Sequence, residues 1–189
     1  GRVRVRRGDV GSLARGGLVA HVGRTRIIER FHVSDAPTDP GMNRQPSPIA
    51  EIYRDAQRLQ HEGDLEAAKA RYLEVLKQQP DHADAIHCLG NIDARQGRLE
   101  DAERLIRRAL ALEPLKASFI NSLGNLMKAA GRLDEAAGLY AQAVQLQPEF
   151  VTAQSNLGDV LMRQGLLDEA VEACLRALEI DPNHAGAYN

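Results

Sequence analysis

The strings GRLEDAERLIRRALALEP, ending at Pro114, and GRLDEAAGLYAQAVQLQP, ending at Pro148, are one pattern written twice at a 34-residue offset. A catalytic constellation is needed once. A unit repeated at fixed spacing buries its apolar face only by stacking on its copies. The same offset fills five columns four times over. Gly63, Gly97, Gly131 and Gly165 form the first, and Leu65, Leu99, Leu133 and Leu167 the second. Ala68, Ala102, Ala136 and Ala170 form the third, and Pro80, Pro114, Pro148 and Pro182 the fourth. The fifth is small throughout: Ala56, Gly90, Gly124 and Gly158.

Each column has a physical meaning. Between one glycine and the next lie two runs with helical apolar spacing, such as Ile86, Leu89, Gly90 and Ile92. The glycine falls where the first helix ends and a positive φ is needed. The proline closes the second helix, since it lacks a donor and clashes with the preceding turn. Asp134 and Asp168 stand where they are expected to cap the second helix. The Ala and Gly columns mark close approach of two helix axes. The expected fold is all-α, a stack of helix pairs. Its core is aliphatic, because aromatic residues make up only 4% of the chain and Trp is absent.

These columns resemble the tetratricopeptide repeat, W-x2-L-G-x2-Y, then A-x3-F, then P, within 34 residues. The third unit carries Ile120, Leu123-Gly124, Met127, Ala136, Tyr140 and Pro148. The second carries Ile86, Leu89-Gly90, Ala102, Ile106 and Pro114, and the fourth Leu157-Gly158, Leu161, Ala170, Cys174 and Pro182. The resemblance implies a right-handed α-solenoid of four repeats at 49–82, 83–116, 117–150 and 151–184. Asp93 departs from the pattern, standing where an aromatic or apolar residue is usual, and weaker packing is expected there.

The ends differ from the middle. Later units place Ala85, Leu89 and Ile92 (or Phe119, Leu123 and Leu126; or Ala153, Leu157 and Val160) on one face of the first helix. The first unit has Glu51, Asp55 and Arg58 in those places. A polar outer face of this kind is expected of a terminal repeat. At the other end, Ala185 and Tyr188 begin what reads as a fifth repeat, and Val171, Leu175 and Leu178 lack cover. The expectation is a fragment whose parent continues.

Residues 1–41 carry eight Arg and no Lys against four acids, a balance of +4; residues 42–189 carry 16 bases and 22 acids, a balance of −6. The acidic array argues against nucleic-acid binding by that part. Residues 1–48 are expected to be a basic, Gly/Arg-rich leader, disordered or not native. In one reading translation starts at Met42; in its rival the leader is an arm for RNA or acidic lipid. No apolar run approaches the roughly 18 residues of a membrane span, and no secretory signal is evident. Cys88 and Cys174 form no CxxC pair, so two buried thiols in a reducing, cytoplasmic setting are expected rather than a disulfide.

Residue patterns suggesting chemistry reduce to structure. His82 and His87 are five apart, off the i, i+4 spacing of a helical metal pair, and read as solvated helix-start residues. His87 and Cys88 are adjacent and point to different sides. Asp134-Glu135 and Asp168-Glu169 recur at a helix N-terminus, where negative charge is favoured. No catalytic constellation, cofactor loop or metal pattern is present, so a non-enzymatic segment is expected, without cofactor or metal.

What a solenoid offers is a groove lined by its first helices. The resemblance places Tyr53, Gln57, His87, Asn91, Asn121, Asn125, Ser155 and Asp159 inward, with Asn156 beside them. Such an amide-rich lining suits the backbone of an extended peptide. The expected partner is a protein or peptide, and the oligomeric state is left open. Relatives that clamp a C-terminal carboxylate use Lys, Asn and Arg at set inward places. The two comparable sets here (Tyr53, Gln57, Cys88, Ser118 and Ser122; His87, Asn91, Ser122, Thr152 and Asn156) hold no Lys or Arg, which argues against that clamp. The run beginning DHADAIHCLGN is also similar to the opening repeats of bacterial proteins that join such an array to a glycosyltransferase of the O-linked N-acetylglucosamine type or a sulfotransferase. In those the array carries inward asparagines. Asn156 fits that ladder, whereas Cys88 and Ser122 do not. By that resemblance the chain would be a non-catalytic acceptor-recognition arm.

Overall fold

The computed structural model describes residues 47–187, and the expected leader falls, but for its last two residues, outside them. Eight α-helices follow in antiparallel pairs: α1 (Pro48–Glu62) with α2 (Leu65–Gln78), α3 (Ala83–Arg95) with α4 (Leu99–Leu112), α5 (Ala117–Ala129) with α6 (Leu133–Leu146), and α7 (Val151–Arg163) with α8 (Leu167–Ile180). A single 3-10 turn, Ala185–Ala187, packs on α7 and α8. The fold is all-α, a right-handed α-solenoid. Successive first helices also meet, α3 against α5 and α5 against α7.

Local signals explain the boundaries. Gly63, Gly97, Gly131 and Gly165 follow the first helix of each pair with φ of 88°, 77°, 75° and 80°, a left-handed conformation that costs glycine little. Each second helix ends two residues before its column proline. The helix starts differ from expectation. Ser47 accepts from Ala50 N at 3.2 Å and Asp64 accepts from Ala67 N at 3.1 Å. Asp134 and Asp168 are not caps. They lie one residue inside α6 and α8, whose N-cap positions hold Arg132 and Leu166 with no side-chain cap. Leu133 sits in the first helical position because it packs on the core around Leu126 and Tyr140, which pushes the acid inward. Its charge still faces the positive end of the helix.

The core runs along the stack. Ala56, Tyr72, Val75, Leu89 and Ile92 join the first two repeats; Ile106, Leu123, Met127, Tyr140 and Val160 join the second, third and fourth. The small column is explained by contact: a Cβ on Gly90 would lie 2.7 Å from Ile106 Cγ1, on Gly124 2.7 Å from Tyr140 Cε1, and on Gly158 2.5 Å from Cys174 Sγ. Glu51 and Arg58 are exposed and Asp55 is half-buried, whereas Ala85 and Ile92 are fully buried. At the other end Leu167, Val171 and Leu175 are more than half exposed and border an apolar recess of about 400 Å³.

Asp93 corrects an expectation of weak packing. It is 5% exposed, accepts from Lys69 Nζ at 3.0 Å and is also bonded by Arg98. Burial alone would raise its carboxyl; the hydrogen bonds from Arg98 and Lys69 outweigh burial and hold the pKa below the usual value. An ion cluster joining α2, α3 and the start of α4 occupies the apolar slot.

Candidate groove on the first helices

The residues expected to line a groove are brought onto one face, but many already bond one another. Tyr53 Oη lies 3.9 Å from Cys88 Sγ, His87 Nε2 lies 2.8 Å from Ser122 Oγ, and Asn156 Nδ2 donates to Asn121 Oδ1 at 3.1 Å. All three pairs are 35 residues apart. One column of each repeat therefore meets the neighbouring column of the next, forming a polar ladder between repeats.

Individual residues divide accordingly. Asn121 and Ser155 are 6% exposed each: Asn121 is a member of the ladder, and Ser155 lies beside the turn at Gly186. Gln57 and Asn125 are exposed; Asn91, Asn156 and Asp159 are half-buried. Asn125 Oδ1 accepts from Tyr140 Oη at 2.7 Å and from Asn156 Nδ2 at 3.1 Å, which fixes its amide with Nδ2 free to donate. Asn91 Nδ2 lies 3.2 Å from His87 Nε2. Asp159 holds Lys128 Nζ at 3.1 Å and Arg163 Nε at 3.0 Å. Burial would raise the Asp159 carboxyl, but the bonds from Arg163 and Lys128 lower it.

His82 and His87, read from the sequence as solvated, are instead half-buried and packed on aromatic rings. His82 caps α3 by accepting from Ala85 N at 3.3 Å, and its ring stacks on Tyr53 with centroids 4.9 Å apart. His87 stacks on Phe119 at 4.2 Å. Burial pushes His87 down to about 4, with Asp84 pulling up and Lys116 pushing down, so it is neutral near pH 7. Burial also pushes the Cys88 thiol up, which leaves it protonated and poorly nucleophilic. Cys88 and Cys174 are free thiols, half-buried rather than buried. Among the described residues no group of His, Cys, Asp and Glu could hold a metal ion. No helix among them is long and apolar enough to cross a membrane.

Two recesses open on this face. One, of about 280 Å³, is bordered by Gln57, Gln60, His61, Tyr72, Cys88 and Arg95. The next, of about 380 Å³, is bordered by Asn91, Arg95, Leu99, Ser122, Asn125 and Leu126. Asn91 and Asn125 stand 34 and 68 residues beyond Gln57, so the two recesses are one feature repeated. Arg95 borders both and escaped notice in the sequence, because it lies a full turn beyond the residues flanking the Leu-Gly pair.

A stack of helix pairs with a polar inner face is the architecture of a protein-interaction solenoid. The chain belongs to the tetratricopeptide repeat family: two family models described as tetratricopeptide repeat match residues 59–118 and 121–185. No curated protein matches the sequence. Among solved structures it is similar to an O-GlcNAc transferase mutant from Thermobaculum terrenum, at 29% identity and a TM-score of 0.66 over 69% of this chain. This chain spans only 26% of that one. It is also similar to YrrB, described as a TPR protein with an unusual peptide-binding site, at 26% identity and a TM-score of 0.59, covering 72% of this chain and 71% of that one. MamA matches at 25% identity and a TM-score of 0.61, covering 70% of this chain and 78% of that one.

Proposed function

We propose that this protein-interaction scaffold holds an extended peptide segment along the shared face of α1, α3, α5 and α7. The observation that carries the reading is the row Gln57, Asn91 and Asn125, three amides at one repeat position, beside two successive recesses. Repeating amides match the repeating carbonyls and N–H groups of an extended chain, whatever its side chains. The likeness to YrrB, whose description names a peptide-binding site, supports the same reading. The test is isothermal titration with a dodecapeptide selected on this protein from a random displayed library. Asn91→Ala/Asn125→Ala is expected to weaken binding at least tenfold, since each lost amide bond is worth about 1 kcal/mol. Undiminished affinity in a variant of unchanged helicity would place the site elsewhere.

A second reading has its own support in the likeness to the Thermobaculum terrenum O-GlcNAc transferase. There this chain would be the non-catalytic arm that presents an acceptor protein to a transferase domain. The groove would be used in the same way, and the bound segment would carry the modified side chain.

A further inference from the structure

Arg95 and Arg163 occupy one place in the repeat, 68 residues apart and in the last turn of α3 and α7. Arg163 is satisfied within the chain: its Nε donates to Asp159 Oδ1, one helical turn back. The residue one turn back from Arg95 is Asn91, and the matching position on α5 is Asn125. Neither amide can neutralise a guanidinium. Arg95 is exposed, and among the described residues it makes no hydrogen bond and no ion pair. Repeat four thus carries its own carboxylate where repeat two leaves the place empty of charge.

The surroundings add to this. Arg95 borders both recesses, with Gln57 and His61 on one side and Asn91 and Asn125 on the other. Arg54, at the ladder position of α1, is exposed and among the described residues bonds only the Ala50 carbonyl, at 3.3 Å. Lys128 and Arg163 share the single carboxylate of Asp159. A face with surplus cations therefore sits on an array whose balance over residues 42–189 is −6. Charge segregated in this way selects and orients a partner of opposite sign.

We propose that Arg95 reads a carboxylate of the bound segment: the partner carries an internal Asp or Glu side chain that lodges between the two recesses. Its carboxylate takes the part that Asp159 plays for Arg163. The guanidinium offers two parallel N–H donors, and the amide Nδ2 of Asn125 offers a third nearby. The inference rests on the groove reading and narrows it to an acidic peptide.

The test uses dodecapeptides selected from a random phage-displayed library on the full chain. Wild-type selections are expected to fix Asp or Glu at one position. In titrations with the selected peptide, Arg95→Ala and replacement of the peptide acid by Gln are each expected to weaken binding roughly ten- to hundredfold. Asn91→Asp is the sharper variant: it gives Arg95 an internal carboxylate at the Asp159–Arg163 spacing and is expected to weaken binding comparably while leaving helicity and Tm near wild type. Amidating the peptide's C-terminus should change nothing, because the recognised carboxylate is internal. Enriched peptides without a fixed acid, or an acid preference that survives Arg95→Ala, would overturn this inference and leave the groove reading standing. Loss of affinity on amidation alone would also overturn it, by assigning recognition to a chain terminus. Failure to enrich any peptide, or enrichment unaffected by Asn91→Ala/Asn125→Ala, would remove both.

Discussion

A methyl group on Gly124 would press on Tyr140, 2.7 Å from Cε1 and 2.9 Å from Cδ1, inside a fully buried ring pocket. Gly124→Leu is therefore expected to destabilise by about 1–3 kcal/mol through overpacking. Its neighbour Leu123, 3% exposed, fails in the opposite sense: Leu123→Ala leaves a cavity and costs about 2–5 kcal/mol. Urea melts of both variants check these values, and an unchanged midpoint in either contradicts the packing described. His87 makes a pH prediction. Its folded pKa of about 4 lies below the unfolded value of about 6.5, so the unfolded chain takes up the proton first as pH falls. Stability from this group is complete above pH 6.5, declines between 6.5 and 4, and falls no further below that. The gap bounds the loss at about 3 kcal/mol. Melts at pH 7.5 and 4.5 should show a smaller loss for His87→Gln than for wild type; equal losses would mean the imidazole is not held neutral.

At the scale of helices, what was legible in the sequence is what depends on period alone. The glycine and proline columns mark every helix end because a positive φ and a missing N–H are properties of single residues. The start of α6 was misplaced because the capping preference of Asp134 gave way to the packing of Leu133, a contact made with another helix. The ladder was hidden for a related reason. A 34-residue period aligns columns, but the pairs that bond are 35 apart, an offset set by how one repeat leans on the next. Asn121 and Ser155, expected at the groove, are both buried, and of the two only Asn121 is bonded in that ladder. Asp93 was read as a weak point because its partners, Lys69 on α2 and Arg98 before α4, reach it only through the packing of α2 on α3 and the turn between α3 and α4, which a repeat pattern does not show. Asp93→Ala is expected to cost about 1–3 kcal/mol, less than the roughly 3–5 kcal/mol of a fully buried pair, because both cations are partly exposed and can turn to water. The folded pKa of Asp93 is depressed, so its contribution is present above the unfolded value of about 3.9 and is lost as pH falls through the folded pKa. That window lies below the one for His87. Chemical melts of Asp93→Ala against wild type at pH 7 and pH 3 should show a difference that shrinks in acid.

Across the whole array, the two ends face different surroundings. α1 turns Glu51, Asp55 and Arg58 outward, while α8 turns Leu167, Val171 and Leu175 outward. These faces are not complementary, so head-to-tail stacking of copies would bury charge against aliphatic surface at a cost. Between the ends the first helices carry amides, two recesses and surplus cations, while acids such as Glu100, Asp101, Asp134 and Glu135 crowd the starts of the second helices. That division of charge accompanies the amide row on which the proposed reading rests, that this face holds another chain. A crystal structure of the protein with its selected dodecapeptide tests it most directly. The account predicts an extended peptide beside Gln57, Asn91 and Asn125, with an acidic side chain on Arg95. A peptide bound to the outer surface of α2, α4, α6 and α8, or to the apolar end of α8, would contradict it.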